Sequence, residues 1–265
     1  MNKSLLNLYI DYLISSFGQI IATGLSRLLE GEVSHDQITR FLTSPANSSA
    51  QLWRIVKPML RQVEHVDALL VLDDSIEEKP YTDENDLACW NWDHSKQCSV
   101  KGTNFLTALY VADPVSLPAA FDLVQKRRSQ ITKNARYRML LQVVAHDQIR
   151  FRYVLNDCWY ASADNMKFIK HDLKKDFIMP LKSNRKVALS QQDKQRGQWQ
   201  AVSTLDLTEE TTREIWLEEA DFPLLLAKEV FTNEDGTTGR LYLVTSDLML
   251  TYDQMNRLYP QSLTA

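Results

Sequence analysis

Apolar and polar positions fall into two regimes along this chain. Up to about residue 65 they follow a helical period, and Leu5, Leu6, Tyr9, Ile10, Leu13 and Ile14 form one apolar stripe. A second helix is expected after Ser34, with Ser34 as N-cap and Gln37 as the reciprocal half of a capping box. Its apolar face is Ile38, Phe41 and Leu42. Residues 44–49 are loop chemistry, and the helical period resumes over residues 52–63. Short helices joined in this way fit a helix-turn-helix DNA-binding unit or, more plainly, a helical lid on the domain that follows.

From Ala68 the pattern changes. Ala68-Leu69-Leu70-Val71-Leu72 is an unbroken apolar run that stops at Asp73-Asp74, the mark of a buried strand with carboxylates at its C-terminal end. Residues 99–111 predict a strand pair, and residues 118–148 a helix made cationic by Lys126, Arg127, Arg128, Lys133, Arg136 and Arg138. A second buried strand over 151–155 leads to another carboxylate, Asp157. Residues 163–174 read as helix and 177–180 as strand. Residues 185–240 are polar and turn-rich, which predicts a β-rich insertion with a hairpin turn at Asp235-Gly236. A core strand over 241–245 follows, then a last helix starting near Thr251 with Tyr252, Met255 and Tyr259 at helical spacing. The expected organisation is α/β: an N-terminal helical region over 1–65, the first part of a mixed-sheet core over 66–184, the insertion over 185–240, and the remainder of the core over 241–265.

Composition narrows this picture only slightly. A chain of 265 residues with 44% hydrophobic and 24% charged residues suits one large domain or two modest ones. Three cysteines, Cys89, Cys98 and Cys158, form no tight pair and read as reduced thiols. No stretch approaches the roughly 18 apolar residues of a membrane span, so a cytoplasmic protein with no membrane partner is expected. The net charge of -4 neither announces nor excludes a nucleic-acid partner, because DNA responds to the local field.

Two buried strands that each deliver a carboxylate at the C-terminal end are the central chemical signal. Ligand sites of α/β sheets lie at that edge, and hard divalent ions take carboxylate oxygens. Asp74 and Asp157 could hold such ions, although aspartates also end strands simply because they favour turns. Period-two alternation puts Asp73 and Asp74 on opposite faces, so one of the two points at a metal. Lys170, Lys174, Lys175, Lys182, Arg185 and Lys186 cluster in sequence near the presumed site and are expected to contact DNA. Trp159 could stack on an unpaired base, or fill the core. Neither Asp93 and His94 with His146 and Asp147, nor Cys89 with Cys98, has zinc-site spacing.

The words around the carboxylates are more specific. Residues 72–80 (Leu-Asp-Asp-Ser-Ile-Glu-Glu-Lys-Pro), with Trp92-Asp93-His94-Ser95-Lys96 and Val100-Lys101-Gly102, resemble the first catalytic block of the DDE transposases of bacterial insertion sequences, in their insertion-sequence-four-like group. Tyr153-Val154-Leu155-Asn156-Asp157-Cys158-Trp159-Tyr160 resembles the second block, and the similarity runs over roughly residues 30–259. The resemblance implies an RNase H-like core, Mg²⁺ or Mn²⁺, and double-stranded DNA with terminal inverted repeats, on which a homodimer could assemble. It implies strand cleavage and joining, with a water and then a DNA 3′-hydroxyl as nucleophile. The family's first block has Asp directly before a small or hydroxyl residue, which favours Asp74, followed by Ser75, over Asp73. Tyr259 takes the first position of the last-helix motif; the motif's Arg would fall where Ser262 stands, and its Glu, the third acid, one residue past Ala265. On that alignment the expectation is a truncated transposase of doubtful independent activity and reduced stability. The rivals are a DNA-binding remnant unable to cut, and a metal-dependent nuclease or phosphatase unconnected with transposition.

Overall fold

The computed structural model describes residues 3–17, 20–43, 48–93, 96–125, 130–208, 210–232 and 236–259. The chain divides into two compact units, residues 1–51 and 52–265.

The first unit contains helices α1 (Lys3–Ser15), α2 (Ala22–Leu28) and α3 (His35–Leu42). The capping box forms as the sequence predicts: the Gln37 amide donates to Ser34 Oγ at 3.3 Å, and the Ser34 amide donates to Gln37 Oε1 at 2.9 Å. Helix α2 has no counterpart in the sequence reading, because seven residues are too few to establish a helical period. Leu5, Tyr12, Leu25 and Ile38 make this unit's own small core. Of the loop expected over residues 44–49, residues 44–47 lie outside the described residues, and Ser49 already begins the next helix.

Helix α4 (Ser49–Val63) buries Trp53, Val56 and Leu60 among the side chains of the second unit's sheet. The division therefore falls near residue 51, well before the expected residue 65. An apolar stripe on a helix states that it packs, not against what.

The second unit is built on one sheet of eleven strands among the described residues. Its first part comprises β1 (Leu69–Glu78), β2 (Ala88–Asp93), β3 (Cys98–Ala112) and β4 (Val115–Leu123), then helix α5 (Lys133–His146). Next come β5 (Tyr153–Asn156), α6 (Ala163–Lys167) continuing into a π-helical turn (Phe168–Asp172), and β6 (Asp176–Pro180). Residues 186–232 supply β7 (Lys186–Ala188), α7 (Gln191–Gln195), β8 (Gln200–Ala201), a 3₁₀ turn (Val202–Thr204), β9 (Thr212–Leu217) and β10 (Leu224–Thr232). Strand β11 (Thr238–Thr245) and helix α8 (Tyr252–Leu258) complete it. The strand order is β2-β3-β1-β5-β6-β11-β10-β9-β7-β8, with β4 also paired to β3. Strands β1, β5 and β6 are parallel, and the other pairings are antiparallel.

Central parallel strands need both faces covered, which is why their apolar runs are continuous. Leu70, Leu72, Val154 and Phe177 join Tyr137, Leu140, Leu141 and Val144 of α5 on one face. Val71, Leu155, Ile178 and Leu243 join Met255 and Tyr259 at the α8 side on the other.

Three expectations change. The helix predicted over 118–148 begins only at Lys133, with Thr132 as its N-cap, and residues 115–123 are strand β4. Pro118 is tolerated because β4 pairs with β3 alone, and the register shifts beside it, between Ala108 and Leu109. The strand pair predicted over 99–111 is one long strand whose hairpin partner is the earlier β2. The turn-rich 185–240 stretch does form short strands, but β10 pairs with β11 and β11 with β6, so it prolongs the core sheet. Asp235 of the expected turn is outside the described residues, and the hairpin closes at Thr232 opposite Thr238. No described helix is long and apolar enough to cross a membrane.

Candidate active site

The parallel register pairs Leu69 with Tyr153 and Leu72 with Asn156, so the residues that follow, Asp73 and Asp157, emerge side by side at the carboxyl ends of β1 and β5. Alternation then assigns the faces. Leu72 and Asn156 look toward α5, where Tyr137 donates its phenol proton to Asn156 Oδ1 at 2.6 Å. Val71 and Leu155 look toward α8. Asp74 follows Leu72 onto the α5 face, and Asp73 follows Val71 onto the α8 face.

The two neighbouring aspartates have different surroundings. Asp74 accepts hydrogen bonds from Lys133 Nζ at 2.6 Å, Tyr160 Oη at 2.9 Å and Asn104 Nδ2 at 3.1 Å, and its side chain is only 13% exposed. Burial raises its pKa, but the Lys133 ammonium and the bonds from Asn104 and Tyr160 outweigh that, and the carboxyl is held below the ordinary range. Asp73 is exposed, accepts the Asp74 amide at 2.8 Å as its side chain's one hydrogen bond among the described residues, and has its pKa raised by desolvation and by the Asp74 charge.

Asp157 accepts the Trp159 amide at 3.0 Å. Desolvation, followed by the carboxylates of Asp73 and then Asp74, pushes it up to about 6. No ion pair joins Asp73 or Asp157 to a lysine or arginine among the described residues. Helix α8 closes this side: the phenol of Tyr259, fully buried, donates to Asn156 O at 3.0 Å, directly before Asp157. Burial and then the Asp157 charge raise the Tyr259 phenol's pKa.

The expected DNA-contacting cations do not form one cluster. Strand β6 runs parallel to β5, so residues before it lie at the amino edge of the sheet and residues after it at the carboxyl edge. Lys170, Lys174 and Lys175 precede β6 and are at the edge away from the carboxylates. Lys170 is paired with Asp176 at 2.6 Å, and Lys175 lies over Phe151. Lys182, Arg185 and Lys186 follow β6 on the carboxylate edge. Lys182 Nζ sits 4.2 Å from the Trp159 ring centroid, and Arg185 reaches Glu219 at 3.3 Å. Closeness in sequence misleads here because a five-residue strand separates the groups by roughly 16 Å.

The cationic helix also dissolves into internal partners. Arg136 is buried and bonded to Asp122 at 2.7 Å, Arg138 donates to Asn165 Oδ1 at 2.7 Å, and Lys133 holds Asp74. Lys126, Arg127 and Arg128, like His94, lie outside the described residues. Lys133, Asn104 and Tyr160 are partners of Asp74 that the sequence alone does not point to. Two signals were available: Thr132 as a helix N-cap, and Asn104 two residues before buried Leu106 on the alternating strand β3.

Among the described residues no group of three or more His, Cys, Asp or Glu side chains is arranged to hold a metal ion. What Asp73 and Asp157 offer is a pair of mutually repelling carboxylates that make no ion pair among the described residues, although the Lys133 charge acts on Asp73 from a distance. Such an oxygen donor set suits a hard divalent ion.

The chain matches the family model described as DDE superfamily endonuclease over residues 2–202. No curated protein matches it. Among solved structures it is similar to piggyBac transposase, determined by cryo-electron microscopy in a synaptic complex with hairpin DNA. That likeness has a TM-score of 0.53 and 11% identity, covering 99% of this chain and 57% of the other. The chain thus spans little more than half the length of that transposase. At this identity the likeness speaks to fold alone, and it agrees with the expected α/β, RNase H-like class. An Argonaute from Kluyveromyces polysporus with a guide RNA aligns at a TM-score of 0.24 and 11% identity, over 72% of this chain and 24% of its own, too slight to carry an argument.

Proposed function

We propose that this chain, which belongs to the DDE superfamily endonuclease family, cleaves DNA strands by divalent-metal-dependent phosphoryl transfer at Asp73 and Asp157. The observation that carries the reading is the parallel β1–β5 register, which brings these two carboxylates together with no ion pair to either among the described residues, one of them lifted to about 6. Asp73 takes the role for which the sequence favoured Asp74, because Asp74 is already committed to Lys133, Asn104 and Tyr160.

Asp73 and Asp157 would hold Mg²⁺ or Mn²⁺, which lowers the pKa of an attacking water or 3′-hydroxyl and offsets charge on the scissile phosphate. The chain's own residues do the positioning. Asp74, anchored to α5 through Lys133, fixes the end of β1 so that Asp73 is presented on the opposite face. Tyr259 fixes the backbone of Asn156, and the Trp159 amide orients the Asp157 carboxylate. The finer reading is a transposase of a bacterial insertion sequence, acting on double-stranded DNA at terminal inverted repeats, with a homodimer on the DNA.

The test is Mn²⁺- or Mg²⁺-dependent cleavage of duplexes taken from the DNA flanking the chain's own coding sequence. It is run on the 265-residue chain and on a version whose residues after Tyr259 are replaced by the last-helix motif, with Arg in place of Ser262 and Glu one residue past Ala265. Cleavage by either protein that disappears in Asp73→Asn and in Asp157→Asn supports the proposal. Cleavage that survives both substitutions, or that needs no divalent ion, overturns it. Binding without cleavage by both proteins would favour the DNA-binding remnant instead.

A further inference from the structure

At the amino edge of the sheet, opposite the carboxylates, a cavity of about 590 Å³ opens between the end of α4, the start of β1, the β3–β4 hairpin and the end of α8. Its walls are apolar, with Leu69, Val111, Val115 and Leu258 among them, and Asp67 and Asp113 join the lining. Asp113 is exposed and makes no ion pair among the described residues. Along the same edge, the turn after β11 holds two apolar side chains out in water: Leu248 is 41% exposed and Met249 86%. This turn is firmly fixed. The Asp247 carboxylate accepts the Met249 amide at 3.0 Å, the Tyr153 hydroxyl at 2.7 Å and Arg152 Nη2 at 3.1 Å. The same guanidinium reaches Asp67 of the cavity at 3.4 Å, so one side chain joins turn and cavity. Fixed apolar groups exposed beside an apolar cavity mark an interaction surface.

We propose that this amino-edge surface binds a second copy of the chain, with Leu248 and Met249 of each protomer entering the cavity of the other about a two-fold axis. The choice of occupant follows from what the surface carries. Knob and cavity lie on one surface, which is the condition for an isologous contact, where each copy gives and receives the same group. The unbranched thioether of methionine adapts to irregular apolar space. The charges suit the same partner. Asp113 has no ion pair among the described residues, and Arg152 is 49% exposed between Asp67 and Asp247. A rotated copy offers each of them an opposite charge, whereas a partner of uniform sign would repel one of the two. The contact forms without DNA and does not rest on the DNA-cleaving reading. It directs both carboxyl edges, with Asp73 and Asp157, away from the interface.

Sedimentation velocity on the 265-residue chain, free of DNA and divalent metal and at tens of micromolar, reads the stoichiometry. A closed dimer with no larger species is expected. Met249→Glu should weaken it at least tenfold, and Val115→Trp, which fills the cavity, should do the same. Mixing the two variants tests reciprocity. A mixed pair keeps one intact knob facing one intact cavity, so it should associate more tightly than either variant alone. Far-ultraviolet circular dichroism and the melting temperature check that each variant is folded, and Met249→Glu, at an exposed position, carries the test alone if Val115→Trp is not. A wild type that is monomeric or forms open-ended oligomers overturns the proposal, whatever else enters the cavity, residues 260–265 of the same chain included. So does a dimer that Met249→Glu leaves intact, or a mixture of folded variants no tighter than its components. None of these outcomes bears on DNA cleavage at Asp73 and Asp157, which is read in its own assay.

Discussion

Asp73 and Asp74 are adjacent, identical in type and opposite in circumstance, and the difference follows from which face of β1 each occupies. Removing Asp74 strands the Lys133 ammonium, the Tyr160 hydroxyl and Asn104, whose Oδ1 already lacks a partner. Asp74→Ala is therefore expected to cost about 2–4 kcal/mol, read as a lowered melting temperature, whereas Asp73→Asn should leave stability unchanged or raise it by easing repulsion. Equal losses from the two substitutions would contradict the assignment of faces. The Asp157 carboxyl makes a pH prediction. Its pKa rises from the ordinary 3.8 to about 6 on folding, so the folded state binds that proton more tightly than the unfolded state. The metal-free protein should lose stability as pH rises from about 4 to about 6 and then level off, by about 1–3 kcal/mol after allowance for partial exposure. Chemical denaturation across that range should show the slope in the wild type and not in Asp157→Asn. Divalent-metal affinity should run the other way, falling as pH drops through about 6. The sequence made Asp157 and the Asp73–Asp74 pair visible, and even the rule that only one of the two faces the site. It could not say which, because that depends on Leu72 pairing with Asn156, a contact between strands more than eighty residues apart.

At the scale of elements, the site is held by two helices that pack on opposite faces of the same strands. Helix α8 has a Thr251–Gln254 capping box and ends at buried Tyr259, whose phenol bonds to Asn156 O. Tyr259→Phe should cost about 1 kcal/mol, and Tyr259→Ala about 3–5 kcal/mol, with metal affinity falling in both because the backbone before Asp157 loses its anchor. On β3, a Cβ added at Gly102 would lie 2.3 Å from Glu77 O. Gly102→Ala should therefore separate β1 from β3 and lower the melting temperature, and an unchanged melting curve would contradict the observed strand approach. Long apolar runs made β1, β5, β6 and β11 legible in the sequence. Strand β4 was not, because its Pro118 and two alanines carry little strand signal, and it was absorbed into the helix that follows. Both capping boxes follow a local rule confined to four residues, which is why the Ser34–Gln37 box is legible in the sequence.

At the scale of the molecule, the sheet edge organises everything relevant to function. Parallel β1, β5 and β6 send their carboxyl ends the same way, which gathers Asp73, Asp157, Trp159 and Lys182 and sends Lys170, Lys174 and Lys175 to the opposite edge. A sequence reading that measures distance along the chain cannot see that separation. The net charge of -4 conceals the arrangement in the same way, since the acids sit at the site and several of the cations are consumed in internal pairs. Asp73 and Asp157, not Asp74, are the proposed holders of the divalent ion. The direct measurement is Mn²⁺ binding followed by electron paramagnetic resonance at pH 7.5, in the wild type and in the Asp73→Asn, Asp157→Asn and Asp74→Asn variants. At least a tenfold weakening is expected for Asp73→Asn and Asp157→Asn, with Asp74→Asn close to wild type while it remains folded. Wild-type affinity in Asp73→Asn together with loss in a folded Asp74→Asn would contradict that assignment.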